Sequence, residues 1–333
     1  MTEYQIDSRG WQVLRLLADG EFHSGEVLAQ RLGVSRATVF NALENVSRRG
    51  VSLQRIRGRG YRLAQPWQLL DENEIARLLA DSAQRFKIEV LQQAASSNAL
   101  LLQHSALDAA NGRAPSGSVL AVELQTAGRG RIGRTWHSGL GNALTFSLLW
   151  RFDCGLNALS GLSLAVGVAI LRALHQFGAG SLRLKWPNDI LAPQGKLGGV
   201  LIEAQGDMLG PCAVVIGVGL NCTLPTSIEQ LIDQPAGALN QVCAAMPTRN
   251  QLLAAVLQEM AKVLDEFTKN GFAALRTEWE QYHAQQNLPI CLHMPDGSRV
   301  SGIARGVSES GELCLETGHE LRRFNSGEVE ISR

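Results

Sequence analysis

Metal-binding and disulfide patterns are missing from the 333-residue sequence. None of the cysteines forms a C-x-x-C pair, which argues against a zinc knuckle and a disulfide framework. The seven histidines show no metal-ligand spacing. We therefore expect reduced thiols and structural or surface histidines. The six cysteines are Cys154, Cys212, Cys222, Cys243, Cys291 and Cys314.

Signal-peptide and membrane-spanning patterns are missing as well. The first ten residues, MTEYQIDSRG, are polar and lack the apolar region of a signal peptide. The most apolar long segment, 158–178, contains polar residues such as Arg172 and His175, so a buried helix fits it better than a membrane span. We expect a cytoplasmic protein with no membrane partner.

The chain also lacks a net charge, because 31 basic residues balance 31 acidic ones. The balance is uneven, however, since seven arginines face only Glu44 between positions 36 and 62. This local excess of positive charge is a candidate nucleic-acid footprint. The seven are Arg36, Arg48, Arg49, Arg55, Arg57, Arg59 and Arg62.

The segment SGEVLAQRLGVSRATVFNALENVSRRG (24–50) predicts two short helices joined by a tight turn at Gly33. A serine that can cap a helix precedes each of them. On the second helix Val39, Leu43 and Val46 recur at helical spacing and would face the core. This is the pattern of a helix-turn-helix, in which the second helix reads the major groove.

The next stretch, SLQRIRGRGYRLA (52–64), predicts a basic β-hairpin that could grip phosphates as a wing. Helix pairs are common in protein interactions, and charged hairpins are often only solvated. Helices and an arginine wing together favour DNA binding over those alternatives. The residues expected to contact DNA are Ser35, Arg36, Thr38, Asn41, Arg57 and Arg59.

The middle of the chain alternates apolar strands with helices, which predicts an α+β core. The expected strands are 87–93, 118–126, 142–150, 181–191, 196–205 and 211–221. The expected helices are 98–110, 158–177 and 248–270, the last with a capping box at Thr248 and Gln251. Short turns join the last three strands, so we expect an antiparallel meander.

From about residue 284 the sequence shows short β runs separated by turn dipeptides at 296–297, 310–311 and 317–318. This pattern predicts a small β-barrel of the SH3-like kind.

The loop GRGRIGRTW (128–136) matches the spacing of a dinucleotide-binding turn. That motif requires a following helix, but Gly139 and Gly141 interrupt any helix before the next strand. A Walker loop is excluded by the lack of G-K-[ST]. We expect arginine side chains and exposed amides to bind a small-molecule phosphate here. An arginine-glycine nucleic-acid segment is less favoured, because two apolar strands hold this loop.

Two other stretches add polar groups to the same region. The turn at APQG places Lys185 and Lys196 on neighbouring strands, and Lys196 is expected to project into a cleft rather than to be a solvated edge charge. Ser96, Ser97 and Asn98 end a strand and begin a helix. They could simply cap the helix, or they could bind a small polar head group.

Taken together, SSN, GRGRIGRTW, KWPND, KLGGVLIE and GVGLN resemble the motifs of bifunctional biotin protein ligases that also repress the biotin operon. EFHSGEVLAQRLGVSR and RGRGYRL resemble the DNA-binding domain of that family, so the resemblance covers nearly the whole chain. It implies an α+β protein with a winged helix-turn-helix (1–65), a mixed-sheet ligase domain like class II aminoacyl-tRNA synthetases (66–283) and an SH3-like barrel (284–333).

The resemblance further implies that biotin and MgATP form biotinyl-5′-adenylate, and that a lysine of the biotin carboxyl carrier protein of acetyl-CoA carboxylase then takes the biotinyl group. The implied biotin-binding residues are Ser96, Ser97, Asn98, Gln125, Arg129, Gly130, Arg131, Lys196 and Gly217. The implied nucleotide-binding residues are Arg131, Arg134, Trp136, Lys185, Asn188, Asp189, Gly219 and Asn221. Lys196, Arg131 and Arg134 would be catalytic, and Asp189 would contact Mg²⁺.

The same adenylate is expected to act as corepressor, favouring a homodimer that binds palindromic operator DNA. Two alternatives remain open. One is a lipoate-type acyl-adenylating ligase, and the other is a ligand-sensing repressor without ligase turnover.

Overall fold

The computed structural model describes residues 5–48, 51–64, 67–106, 114–318 and 320–331. The helices are α1 (Ser8–Leu17), α2 (Gly25–Leu32), α3 (Arg36–Arg48), α4 (Glu72–Leu79), α5 (Ser97–Ala106), α6 (Leu162–His175), α7 (Thr226–Glu229), α8 (Arg249–Asn270) and α9 (Arg276–Gln281). The strands are β1 (Leu53–Ile56), β2 (Gly60–Leu63), β3 (Lys87–Ala94), β4 (Ser118–Gln125), β5 (Ala143–Phe152), β6 (Arg183–Lys185), β7 (Asp189–Ala192), β8 (Gly195–Gly206), β9 (Cys212–Asn221), β10 (Pro289–His293), β11 (Arg299–Val307), β12 (Leu313–Thr317), β13 (Glu320–Phe324) and β14 (Glu328–Ile331). Arg49 and the 107–110 end of the expected helix 98–110 lie outside the described residues.

Helices α1 to α3 and the hairpin β1–β2 form the N-terminal unit, as the sequence predicts. The Ser24 hydroxyl caps α2 by accepting from the Val27 amide at 3.1 Å, and Gly33 ends that helix with a left-handed φ of 62°. Val39 is buried on α3 together with Leu43 and Val46. The helix-turn-helix prediction is therefore confirmed.

The wing is fastened to the start of the helix pair. Strands β1 and β2 pair in antiparallel register, and Tyr61 on β2 exchanges two backbone hydrogen bonds of 2.9 Å with His23. Gly60 makes this approach possible, because a Cβ there would lie 2.0 Å from the His23 carbonyl oxygen. The arginine-rich turn therefore projects from a fixed base.

A seven-stranded sheet with the order β3-β4-β5-β9-β8-β7-β6 forms the central unit. Strands β3 and β4 are parallel, and the other neighbours are antiparallel. The meander through β8 and β9 is confirmed. The single strand expected over 181–191 is wrong, because a cis Trp186–Pro187 bond lies between two short strands, β6 and β7. Lys185 and Lys196 are consequently not on neighbouring strands, since β7 separates them.

The two faces of the sheet pack against different helices. Val119 and Ala121 on β4 belong to the main apolar cluster, which includes α6 and α8, whereas Leu120 and Val122 pack with Leu101 of α5. This alternation follows from the two-residue period of a strand. Helix α8 begins with the predicted capping box of Thr248 and Gln251. The α5 face carries the candidate active site.

The segment that follows the N-terminal unit is held by buried charges. Arg249 and Glu123 form an ion pair at 2.7 Å, with side chains 7% and 2% exposed. Arg249 also donates to the Gln68 carbonyl at 2.8 Å, and Glu123 accepts from the Leu70 amide at 2.6 Å. Residues 67–70 are therefore anchored to the central sheet.

The C-terminal unit is a five-stranded antiparallel sheet with the order β13-β12-β11-β10-β14. The three expected turns separate β10 from β11, β11 from β12 and β12 from β13. The expected strands are confirmed, while closure into a barrel and the domain boundaries at 65/66 and 283/284 stay predictions. No helix in the described ranges is both long and apolar enough to cross a membrane.

Candidate active site and nucleic-acid interface

A cavity of about 660 Å³ lies between the α5 side of the central sheet, the glycine loop (128–136) and the C-terminal sheet. It brings together every implied ligand-binding residue: Ser96, Ser97, Asn98, Gln125, Arg129, Gly130, Arg131, Arg134, Trp136, Lys185, Asn188, Asp189, Lys196, Gly217, Gly219 and Asn221. These residues come from five strands, one helix and three loops. The structure thus brings the predicted site residues together in one cavity.

One end of the cavity is lined by neutral polar groups at the start of α5. The Ser97 amide donates to Gln125 Oε1 at 2.8 Å, and the Ser97 hydroxyl reaches the same oxygen at 3.3 Å. The Ser147 hydroxyl on β5 lies 2.7 Å from Ser97 Oγ and also contacts Asn98 Oδ1. This end offers both donors and acceptors to a neutral ligand.

Gly217 faces this polar end from β9. A Cβ at this position would lie 2.2 Å from Asn98 Oδ1, so any larger side chain would displace the amide. Gly217 lies directly opposite Ser147 in the antiparallel pairing of β9 with β5. A glycine is therefore required for the close approach of α5 to the sheet.

The other end of the cavity is cationic. Lys196 Nζ lies 2.7 Å from Asp189 Oδ1, and Arg131 donates to Asn188 Oδ1 at 3.3 Å. Burial lowers the pKa of Lys185, against the opposing effect of Asp189. Burial likewise lowers the pKa of Arg131, again opposed by Asp189. Partly desolvated cations are suited to bind phosphate oxygens strongly.

The glycine loop closes on itself at its neck. Gly130 donates to the Arg134 carbonyl at 2.7 Å, and Trp136 donates to the Gly128 carbonyl at 2.9 Å. At its tip Ile132 has a left-handed φ of 53° and a side chain that is 65% exposed. No α-helix follows the loop, which confirms that the dinucleotide spacing is coincidental.

A further side of the cavity is bounded by Trp136. Its ring lies against Gly219, where a Cβ would meet ring atoms at 2.6 Å. The Asn221 amide donates to the Gly237 carbonyl at 3.1 Å and so holds the segment that runs beside Lys196. Asn221 thereby shapes the wall of the cavity.

Several residues of the site were not predicted from the sequence. Ser147 was missed, although strand alternation places it on the same face as Leu149. Glu203 on β8 accepts from Arg129 at 2.7 Å, and Glu328 on β14 forms an ion pair with Arg134. No local sequence signal marks these two carboxylates, because their partners lie far away in the chain.

The protein ligands around Asp189 are too few to hold a metal ion by themselves, so they fit only a metal that is also bound by phosphate oxygens of a nucleotide. In the part of the chain that is described, no group of three or more His, Cys, Asp or Glu could hold a metal ion. Asp189 is also already paired with Lys196. Since Mg²⁺ is commonly bound by one or two carboxylates together with phosphates and water, Asp189 would serve as one ligand at most.

The predicted DNA-binding residues lie on α3, at Ser35 directly before it, and at the turn of the wing. Arg36 and Asn41 are exposed on α3, and Arg57 and Arg59 are exposed at the wing turn, where the Arg59 guanidinium lies 4.5 Å from the Phe22 ring centroid. Ser35 and Thr38 have a local role as well. The Ser35 hydroxyl accepts from the Thr38 amide at 3.1 Å, and Thr38 is half-buried.

Comparisons with known proteins cover all three units. The biotin/lipoate A/B protein ligase family matches residues 103–221, an HTH domain matches 11–62, and the biotin protein ligase C-terminal domain matches 292–332. The chain is 34% identical over 320 residues to the bifunctional ligase/repressor BirA of Escherichia coli, covering 96% of each protein. It is 30% identical over 319 residues to BirA of Bacillus subtilis, covering 94% of this chain and 95% of that protein.

Among solved structures, a biotin protein ligase from Aquifex aeolicus in complex with biotin and ATP matches with a TM-score of 0.61 and 25% identity. The match covers 74% of this chain and 99% of that one. The chain therefore belongs to the biotin protein ligase family, in the group of bifunctional ligase/repressors with an N-terminal helix-turn-helix.

Proposed function

We propose that the chain activates biotin with ATP and transfers the biotinyl group to a lysine of a biotin carboxyl carrier protein. The observation that best supports this function is the two-ended cavity. Its neutral end, around Ser97 and Asn98, matches the ureido ring of biotin, whose carbonyl and two N–H groups need donors and acceptors. Its cationic end, around Lys196 and Arg131, matches the phosphates of ATP.

In the first half-reaction the biotin carboxylate oxygen attacks the α-phosphorus of ATP, and pyrophosphate leaves. Lys196, which lines the cavity, would neutralise charge between the carboxylate and the α-phosphate, a task that suits its compact ammonium. Arg131 and Arg134 bind phosphate oxygens, for which Arg134 must leave Glu328. Lys185 and Asn188 would hold the triphosphate, and Asp189 would supply one ligand to the Mg²⁺ that accompanies it.

In the second half-reaction a carrier lysine, as the neutral amine, attacks the carbonyl carbon of the mixed anhydride, and AMP leaves as the amide bond forms. The glycine loop retains the adenylate until the carrier arrives. Its three arginines and exposed amides provide the contacts for this closure. The enzyme contributes position and charge, as expected for activation of a poor electrophile.

The same chain acts as a repressor in this proposal. Biotinyl-adenylate favours a homodimer, so that two helix-turn-helix units contact a palindromic operator through Arg36, Asn41 and the wing arginines. The six free cysteines agree with a reducing, cytoplasmic location. The dimer is tested by sedimentation with and without biotinyl-adenylate. We expect the molecular mass of the sedimenting species to increase when the adenylate is added.

The ligase function is tested by ATP–pyrophosphate exchange with biotin or lipoate as the acid. We expect exchange with biotin and none with lipoate. Exchange with lipoate alone would instead support a lipoate-type ligase. Steady-state biotinylation of an apo carrier domain separates the ligase from a repressor without turnover, since only the ligase gives product in excess of enzyme.

A further inference from the structure

A chain of hydrogen bonds runs from the neutral end of the cavity to the glycine loop. It passes from Gln125 through Ser97 and Ser147 to Asn98, whose amide nitrogen donates to Glu203 Oε2 at 2.9 Å. Ser97, Asn98 and Ser147 are buried. Because such groups are costly to leave unpaired, the direction of each hydrogen bond is constrained by its neighbours.

Glu203 sets that direction. A carboxylate can only accept, so Asn98 must point its NH₂ group at Glu203 and its carbonyl oxygen at Ser147 and Gly217. Ser147 has a single proton to share between Ser97 Oγ and Asn98 Oδ1. When Ser147 donates to Ser97, the Asn98 oxygen is left to accept an N–H from a ligand in the cavity.

The same carboxylate oxygen also holds the glycine loop. Arg129 donates to Glu203 Oε2 at 2.7 Å, from a position where its backbone pairs with Thr135 across the neck of the loop. Glu203 and Leu201 line a second opening of about 550 Å³ directly beneath the loop. One carboxylate therefore contacts both Asn98, at the neutral end of the cavity, and Arg129 of the glycine loop.

We propose that Glu203 is a positioning residue for biotin. It orients Asn98 to accept a ureido N–H, and it holds Arg129 at the neck of the loop that retains the adenylate. The inference rests on the proposed function, in that it assigns the neutral end of the cavity to the biotin ring.

The test compares Glu203→Gln with wild type in biotin-dependent pyrophosphate exchange and in release of preformed biotinyl-adenylate. Glutamine keeps the size of the side chain, but its NH₂ group permits a reversed Asn98. We expect the KM for biotin and the adenylate release rate each to rise about tenfold, the equivalent of one charge-assisted hydrogen bond. The kcat, the KM for ATP and the melting temperature should stay near wild type.

Ser147→Ala is the second variant, because it interrupts the chain without touching Arg129. It should raise the KM for biotin, and it should speed adenylate release less than Glu203→Gln does, because the contact between Arg129 and Glu203 is kept. Glu89→Gln, an exposed carboxylate on β3, is the matched control and should behave as wild type.

Unchanged biotin KM and adenylate release in Glu203→Gln would overturn the inference while leaving the ligase function intact. So would a parallel rise in the KM values for biotin and ATP with a lower melting temperature, which would indicate a structural role alone. A wild-type protein without biotin-dependent exchange would refute both the inference and the ligase function.

Discussion

Replacement of Lys196 by alanine removes an ammonium group from the cationic end of the cavity, where we propose that the phosphates of ATP bind. Its Nζ lies 2.7 Å from Asp189 Oδ1, and the two side chains are only 20% and 15% exposed. The substitution leaves the Asp189 carboxylate uncompensated beside the phosphate. Like charges about 4 Å apart repel by roughly 4 kcal/mol at an effective dielectric constant of 20. Loss of one preorganised group at developing charge costs about 10²–10³-fold in kcat.

We therefore expect Lys196→Ala to form biotinyl-adenylate at least about 10²-fold more slowly than wild type at saturating substrates. Single-turnover pyrophosphate release measures this step, and a melting curve checks that the variant is folded. Lys262→Ala is the matched control, since that lysine is 66% exposed and pairs with Glu259 on α8 away from the cavity. A folded Lys196→Ala variant that keeps more than about a tenth of the wild-type rate would refute the assigned role.

The remaining predictions concern stability, DNA binding and the nucleotide wall. Arg249→Ala should lower the free energy of unfolding by about 3–5 kcal/mol in urea titrations, because Glu123 is left buried and unpaired; a loss below about 1 kcal/mol would contradict a buried pair. Arg59→Ala should weaken binding to any duplex and reduce the log–log salt slope by about one; an unchanged slope would remove Arg59 from the phosphate contacts. Gly219→Ala should raise the KM for ATP more than that for biotin, since its Cβ would displace Trp136; equal KM changes would contradict a nucleotide-side position.

Local patterns in the sequence predicted most of the elements. Caps and breaks such as Ser24, Gly33, Thr248 and Gly271 act within one helical turn, so their effect can be read from neighbouring residues. The strand expected over 181–191 failed because Pro187 was not counted as an interruption. Proline lacks the amide that a central strand needs, and the chain changes direction there.

The candidate site was predicted in composition but not in its charge pairing. Motifs placed Lys196, Arg131 and Asn98 near a ligand, and the structure brings them into one cavity. Glu203 and Glu328 could not be found, because their partners are remote in sequence: Glu203 is 105 residues from Asn98, and Glu328 is 194 residues from Arg134. Such pairs depend on strand order and on docking of the C-terminal sheet, which local propensity does not determine.

In the proposed function, this cavity joins biotin to the α-phosphate of ATP. This function is tested most directly by mass spectrometry of the small molecules released from the protein after incubation with biotin and MgATP. We expect biotinyl-5′-adenylate with wild-type protein and little or none with Lys196→Ala. Absence of the adenylate from folded wild-type protein, or its equal formation by both proteins, would contradict it.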